Sequence, residues 1–167
     1  MEIDDVDQAI LFLLQERGRS DLSYSDIADQ IDVSQSTVGS RISRLRENGV
    51  LQHFRPIIDY EKVGLSHHVL FMCAAPLDQR NAFAERILDL PKTVNVRELL
   101  STDGNLHVEV VASNPNEIEA AASQIEELGV EIVELGILRR EHSRAFDDFA
   151  SEAVHRSKSD SGDSHFD

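Results

Sequence analysis

At 167 residues the chain is long enough for one ordinary domain or two small ones, and a hydrophobic content of 41% supports a packed core. No run approaches the ~20 apolar residues of a membrane span and no basic-then-apolar leader opens the chain, so a soluble cytoplasmic protein is expected. A formal charge of −15 argues against a uniformly phosphate-binding surface, and a single cysteine, Cys73, excludes an internal disulfide.

Residues 1–19 read as a first helix. Val6, Ile10, Leu13 and Leu14 share a face, Asp4, Asp5 and Asp7 suit the positive end of the helix dipole, and Gly18 closes it. Residues 22–51 then read as two short helices joined by a tight turn. Ser23 is the expected N-cap of the first, with Asp26 in a capping-box position and Ile27, Ala28 and Ile31 at helical spacing. Asp32-Val33 makes the turn. Ser34 caps the next helix, Val38, Ile42 and Leu45 form its apolar stripe, and Asn48-Gly49 ends it. Gln35, Ser36, Thr37 and Ser40 lie on its first turns, followed by Arg41, Arg44 and Arg46. Short polar side chains at the start of such a helix reach base edges in a major groove, and arginines take phosphates or guanine. This is the pattern of a helix-turn-helix with its recognition helix. A solvated amphipathic helix would explain the mixed face alone, but not the agreement of turn, caps, stripe and basic residues.

After Leu51 the pattern changes to short extended runs. Residues 51–59, with Pro56, suggest an edge strand or hinge, and residues 60–64 a linker with a turn. Residues 67–75 form a mostly apolar strand, expected to be covered on both faces. Residues 78–90 read as a helix with Phe83, Ile87 and Leu90 inward, and residues 93–102 as a strand. Asp103-Gly104 signals a hairpin into residues 105–113. Asn114-Pro115 starts a helix whose buried face is Ile118, Ala121, Ala122, Ile125 and Leu128; Gly129 ends it and residues 130–139 are the last strand. From about Ala150 the apolar pattern fails and disorder is expected. The fold class is α+β: an N-terminal helix-turn-helix domain of the winged type, then a βαββαβ, ferredoxin-like sandwich. The expected domains are 1–54, a linker 55–65, the βαββαβ domain 66–142 and an acidic tail 143–167.

The charge is unevenly placed. Residues 41–55 hold four arginines and one acid, Glu47, while the only lysines are Lys62, Lys92 and Lys158. Abundant acids with scarce lysine fit a high-salt cytoplasm, where a Debye length of ~3 Å at 1 M leaves the net charge weakly felt beyond contact. Seven histidines invite a metal. However, His67 and His68 are neighbours on a strand and point to opposite faces, and His107 with Glu109 is too small a cluster for a tetrahedral site. No metal or cofactor is expected, and no nucleophile–base pairing or phosphate-cradling loop is visible. Cys73 lies in an apolar run and reads as an inert buried thiol.

The order of elements and the residues together resemble the Lrp/AsnC family, the leucine-responsive regulators of bacteria and archaea. Ile3-Asp4, Asp7, Ile10-Leu11, Leu14 and Gly18-Arg19 resemble its opening helix. Ile27-Ala28, Val33-Ser34, Ser36-Thr37-Val38, Arg41-Ile42, Arg44-Leu45 and Gly49-Val50-Leu51 resemble its helix-turn-helix. Phe54, Pro56, Ile58-Asp59 and Val63-Gly64 resemble its linker, and Leu90-Pro91, Val94 and Val96 the start of its second strand. The resemblance covers about residues 1–140. With the charge pattern it points to a halophilic archaeon as the source.

The resemblance implies a transcriptional regulator that binds double-stranded DNA as a homodimer or a ring of dimers such as an octamer. The DNA contacts expected from the helix itself are Gln35, Ser36, Thr37, Ser40, Arg41 and Arg44, and the resemblance gives the C-terminal (RAM) domain dimerisation and the sensing of an amino acid or related metabolite. The family's Gly-Asp-x-Asp effector loop falls on Thr102-Asp103-Gly104-Asn105, so Ser101, Thr102, Asp103 and Asn105 are the candidate effector residues. Asn105 stands where an acid would hold a ligand's ammonium group. An enzymatic alternative is siroheme decarboxylase, which resembles the same two-domain family. Its hairpin resembles His-x-Tyr-Asn-Leu-Trp; here Asn105-Leu106 fits, but Thr102, Gly104 and His107 stand at the histidine and aromatic positions. The expectation is therefore a regulator and not an enzyme.

Overall fold

The computed structural model describes residues 2–16, 22–101 and 103–149. The described residues form two compact units, one assembled from residues 2–16, 22–56 and 142–149, the other from residues 57–101 and 103–141.

The first unit is a three-helix core. Helix α1 (Asp5–Gln15) starts at a reciprocal capping box: the Asp7 N–H donates to Asp4 at 3.0 Å and the Asp4 N–H to Asp7 at 3.3 Å. Gln15 is its last helical residue, and the expected stop at Gly18 lies outside the described residues. Helix α2 (Tyr24–Ile31) begins at Ser23, which caps Asp26 as expected. Asp32 makes the turn in the left-handed conformation, φ 53°, which a short polar side chain tolerates. Helix α3 (Gln35–Glu47) is capped by Ser34 and sinks Val38, Ile42 and Leu45 completely. These three pack with Ile10, Leu13, Ile27 and Ile31. The sequence reading starts an acidic tail at residue 143. In the structure Ala145 is buried in this same core, and Phe149, in the 3-10 turn Asp147–Phe149, packs against it. The end of the expected tail lies outside the described residues.

In the second unit, a four-stranded antiparallel sheet of β1 (His67–Ala74), β2 (Thr93–Glu98), β3 (Leu106–Ala112) and β4 (Glu131–Ile137) runs in the order β2-β3-β1-β4. Helices α4 (Arg80–Leu88) and α5 (Pro115–Glu127) complete the βαββαβ order. Asn114 caps α5, and Pro115 takes its first turn, where no N–H is needed. Val69, Phe71 and Cys73 of β1 and Leu106, Val108 and Val110 of β3 meet Phe83, Ile87, Ala121 and Ile125 of the helices.

Two expectations are corrected. Of the two readings of residues 51–59, edge strand or hinge, the strand does not form; Pro56 lacks an N–H to donate, and a 3-10 turn, Glu61–Val63, follows before β1. The helices cover only one face of β1, whose burial alternates: Val69, Phe71 and Cys73 are buried, while His68, Leu70, Met72 and Ala74 stay partly exposed. From Val69 onward the strand is apolar on both faces, although one chain covers only one of them.

Candidate nucleic-acid interface and effector loop

Helix α3 presents Gln35, Ser36 and Ser40 to solvent and Thr37 partly so, at the end where the Ser34 cap leaves backbone N–H groups facing outward. The Ser34 hydroxyl shares hydrogen bonds with those of Ser36 (2.8 Å) and Thr37 (2.7 Å), and Ser40 donates to the Thr37 carbonyl at 2.9 Å. Rotatable hydroxyls of this kind can re-aim toward a base edge or a phosphate.

The two arginines are placed differently. Arg41 donates to Asp4 at 2.5 Å and to both Asp7 oxygens at 3.3 Å, and Arg44 donates to Asp7 through Nη2. The Asp7 side chain is fully buried, so two guanidinium groups from α3 meet one buried carboxylate of α1. The N–H of Asp7, and then the Arg41 charge, hold the Asp4 carboxyl below its ordinary range, and Asp4 in turn raises the pKa of Arg41. In the sequence Asp4 and Asp7 read as acids at the positive end of the helix dipole and as part of the family's opening helix. The Asp-x-x-Asp capping box was legible; its partners more than thirty residues away were not. Arg46 instead lies over the Phe54 ring, 5.2 Å from its centroid.

The expected hairpin joins β2 to β3, with the Leu99 N–H donating to the Asn105 carbonyl at 2.9 Å. Gly104 holds φ 96°, and a Cβ there would lie 3.3 Å from the Met72 methyl. Ser101 is partly exposed and Asp103 exposed; Thr102 lies outside the described residues. Asn105 departs from expectation. It is 3% exposed, accepts from the Ala75 N–H at 2.9 Å and donates to the Ala75 carbonyl at 2.7 Å. Its amide is a latch between the loop and the end of β1, because one group that both donates and accepts satisfies a whole peptide unit. It does not face outward to a ligand. Glu98 is also engaged, by Arg80 at 2.9 Å and Asn81 at 3.2 Å.

On the sheet face away from the helices, Glu109 is 7% exposed and accepts from His68 (2.6 Å), Asn95 (3.2 Å) and Arg97 (3.3 Å). Burial pushes its pKa up, but these hydrogen bonds and the neighbouring positive charges outweigh burial and hold it below the ordinary value. His67 instead contacts the Ser66 hydroxyl at 3.1 Å. Among the described residues no three His, Cys, Asp or Glu side chains are grouped to hold a metal, and no helix is long and apolar enough to cross a membrane. Burial raises the Cys73 thiol to about 12, which keeps it protonated and unreactive.

A family described as winged helix-turn-helix DNA-binding matches residues 3–52. The HTH-type transcriptional regulator PH0140 of Pyrococcus horikoshii is 32% identical over 119 residues, 71% of this chain and 73% of the relative. The regulator FL11 of the same organism is 28% identical, over 70% of this chain and 75% of its own. These relatives are transcriptional regulators, not enzymes. Among solved structures, AsnC of Escherichia coli superposes with a TM-score of 0.68 at 15% identity, covering 87% of this chain and 99% of its own. A Neisseria meningitidis transcriptional regulator solved with L-methionine superposes with a TM-score of 0.68 at 19% identity, over 86% and 94%. With a DNA-binding helix-turn-helix ahead of the βαββαβ domain, and a curated regulator matched at that identity over most of its length, the chain belongs to the Lrp/AsnC-type family of transcriptional regulators.

Proposed function

We propose that the chain reads double-stranded DNA through α3 as a homodimer, and that a small amino-acid-like ligand modulates it near the β2–β3 loop. The observation that carries the reading is the solvent face of α3, where Gln35, Ser36 and Ser40 are exposed and Thr37 partly so beyond a capped turn. Arg41 and Arg44 lie on the same helix, with their guanidinium groups turned toward α1. One such helix reads only a few base pairs, whereas two related by a two-fold axis meet half-sites about one helical turn apart. The helix-free sheet face supports such an axis. Leu70, Met72 and Ala74 give it apolar surface that is only partly covered, beside the polar group around Glu109, and β1 and β3 run side by side through its centre. Further assembly into an octamer is compatible with the same dimer.

Ser101, Thr102 and Asp103 are the effector residues of this reading, with Asn105 setting the loop from behind. The methionine-bound relative supports a ligand of the amino-acid class. Gel shifts of Gln35→Ala and Ser40→Ala on a bound duplex and its scrambled version test the DNA face. A loss of about 1–3 kcal/mol confined to the bound duplex is expected for a base contact. Light scattering at high salt tests the dimer.

A further inference from the structure

We propose that Asp7, assisted by Asp4, is the positioning residue of the DNA-reading helix: it clamps Arg41 and Arg44 between α1 and α3, and these two arginines do not read bases. The inference rests on α3 being the helix that reads DNA. Asp7 needs only a backbone N–H to serve the capping box, yet it also takes two guanidinium groups. Its side chain has no exposed surface, and both guanidinium groups reach it there. Arg41 and Arg44 are one helical step apart and flank the buried stripe of Val38, Ile42 and Leu45 on the side that meets α1. The Nε of Arg44 is itself buried without a hydrogen-bond partner, although the side chain as a whole keeps 40% of its surface exposed.

Arg41 is held against both carboxylates through Nη1, and for Arg44, whose Nη2 is held by Asp7 and whose Nε is buried, to grip a guanine edge bidentately its fork would have to swing off the carboxylate. That would strip a fully buried charge of a partner, which is the costly state for a buried ion pair. Held in place, the pairs do two things. They fix the rotation of α3 about its axis, and so the direction in which Gln35, Ser36, Thr37 and Ser40 project. They also neutralise two cations beside the DNA face, which restrains sequence-independent attraction to phosphate. Sequence discrimination then falls to the four polar side chains.

The test compares Asp4→Asn and the isosteric Asp7→Asn with Asp29→Asn, which removes the same charge from an exposed site on α2. The full chain is titrated by fluorescence anisotropy into the duplex that the unmutated chain enriches from a random pool, and into a scrambled duplex, at several salt concentrations. Both clamp variants are expected to bind the scrambled duplex several-fold more tightly than Asp29→Asn does. Their salt dependence should steepen by about 0.9 for each arginine released onto a phosphate, and the ratio of specific to non-specific binding should fall. Asp4 is half exposed, so Asp4→Asn still decides the question if Asp7→Asn folds poorly. Clamp variants that track Asp29→Asn would overturn the inference. So would Arg41→Ala or Arg44→Ala relaxing the choice of base at a single position. An unmutated chain that enriches no motif would overturn the reading of α3 and the clamp together.

Discussion

Replacing Asn105 by aspartate separates a ligand-facing role from a latch, because the two roles predict opposite outcomes. A ligand-facing Asn105→Asp would gain an ammonium partner and bind amino acids better. As a latch, the residue must both accept from the Ala75 N–H and donate to the Ala75 carbonyl, in a place that is 3% exposed. A carboxylate can only accept, so it leaves the Ala75 carbonyl unpaired beside a buried negative charge. An unsatisfied buried group costs about 1–3 kcal/mol, and more where a charge is involved, so the variant should lose about 2–4 kcal/mol at pH 7. Each kcal/mol lowers the melting temperature of a unit this size by about 4–8 °C. The loss should depend on pH in a diagnostic direction. A protonated carboxyl again donates and accepts, so the folded state raises its pKa above the ordinary ~3.9 of aspartate. Folding then favours the protonated form, and the deficit should shrink as pH falls through that raised value. Differential scanning calorimetry of both proteins from pH 7 to pH 4 measures this. A variant as stable as the original at pH 7, with tighter amino-acid binding, would refute the latch.

Glu109→Gln should cost about 1.5–3 kcal/mol, the range for a hydrogen bond to a charged group, read by urea unfolding. Because the folded state lowers the Glu109 pKa from 4.5, its contribution should be intact above 4.5 and vanish as pH falls through the lower folded value. The difference between the two proteins should therefore narrow in acid. Phe149→Ala should destabilise the helix-turn-helix unit by about 1–2 kcal/mol, less than for a fully buried phenylalanine because the ring is only partly covered. The melting transition of that unit should fall accordingly.

What was legible in the sequence was local. Ser23, Ser34 and Asn114 act through hydrogen bonds to N–H groups three residues on, so their signal lies in one short window. The stripes of α3 and α5 and the order βαββαβ follow from periodicity in the same way. The misread features were contacts between distant parts of the chain. The run at β1 is apolar on both faces, which states that the faces avoid water but not what covers them. Arg41 and Arg44 look free for DNA until α1 folds back and brings Asp4 and Asp7 against them. Asn105 sits where the family resemblance puts a ligand acid, and only the tertiary path of β1 shows Ala75 in that place. Ala145 reads as part of a polar tail because its neighbours are charged, although the residue itself is buried.

The central claim, a two-fold reader of DNA built on α3, is tested most directly by enrichment of a random duplex pool on the full-length chain at high salt. Two inverted half-sites with centres about one helical turn apart, ~34–36 Å, are predicted, and Gln35→Ala or Ser40→Ala should weaken the preference at matching positions in both halves. An enriched motif without two-fold symmetry, or one unchanged by substitutions across the first turns of α3, would contradict the account.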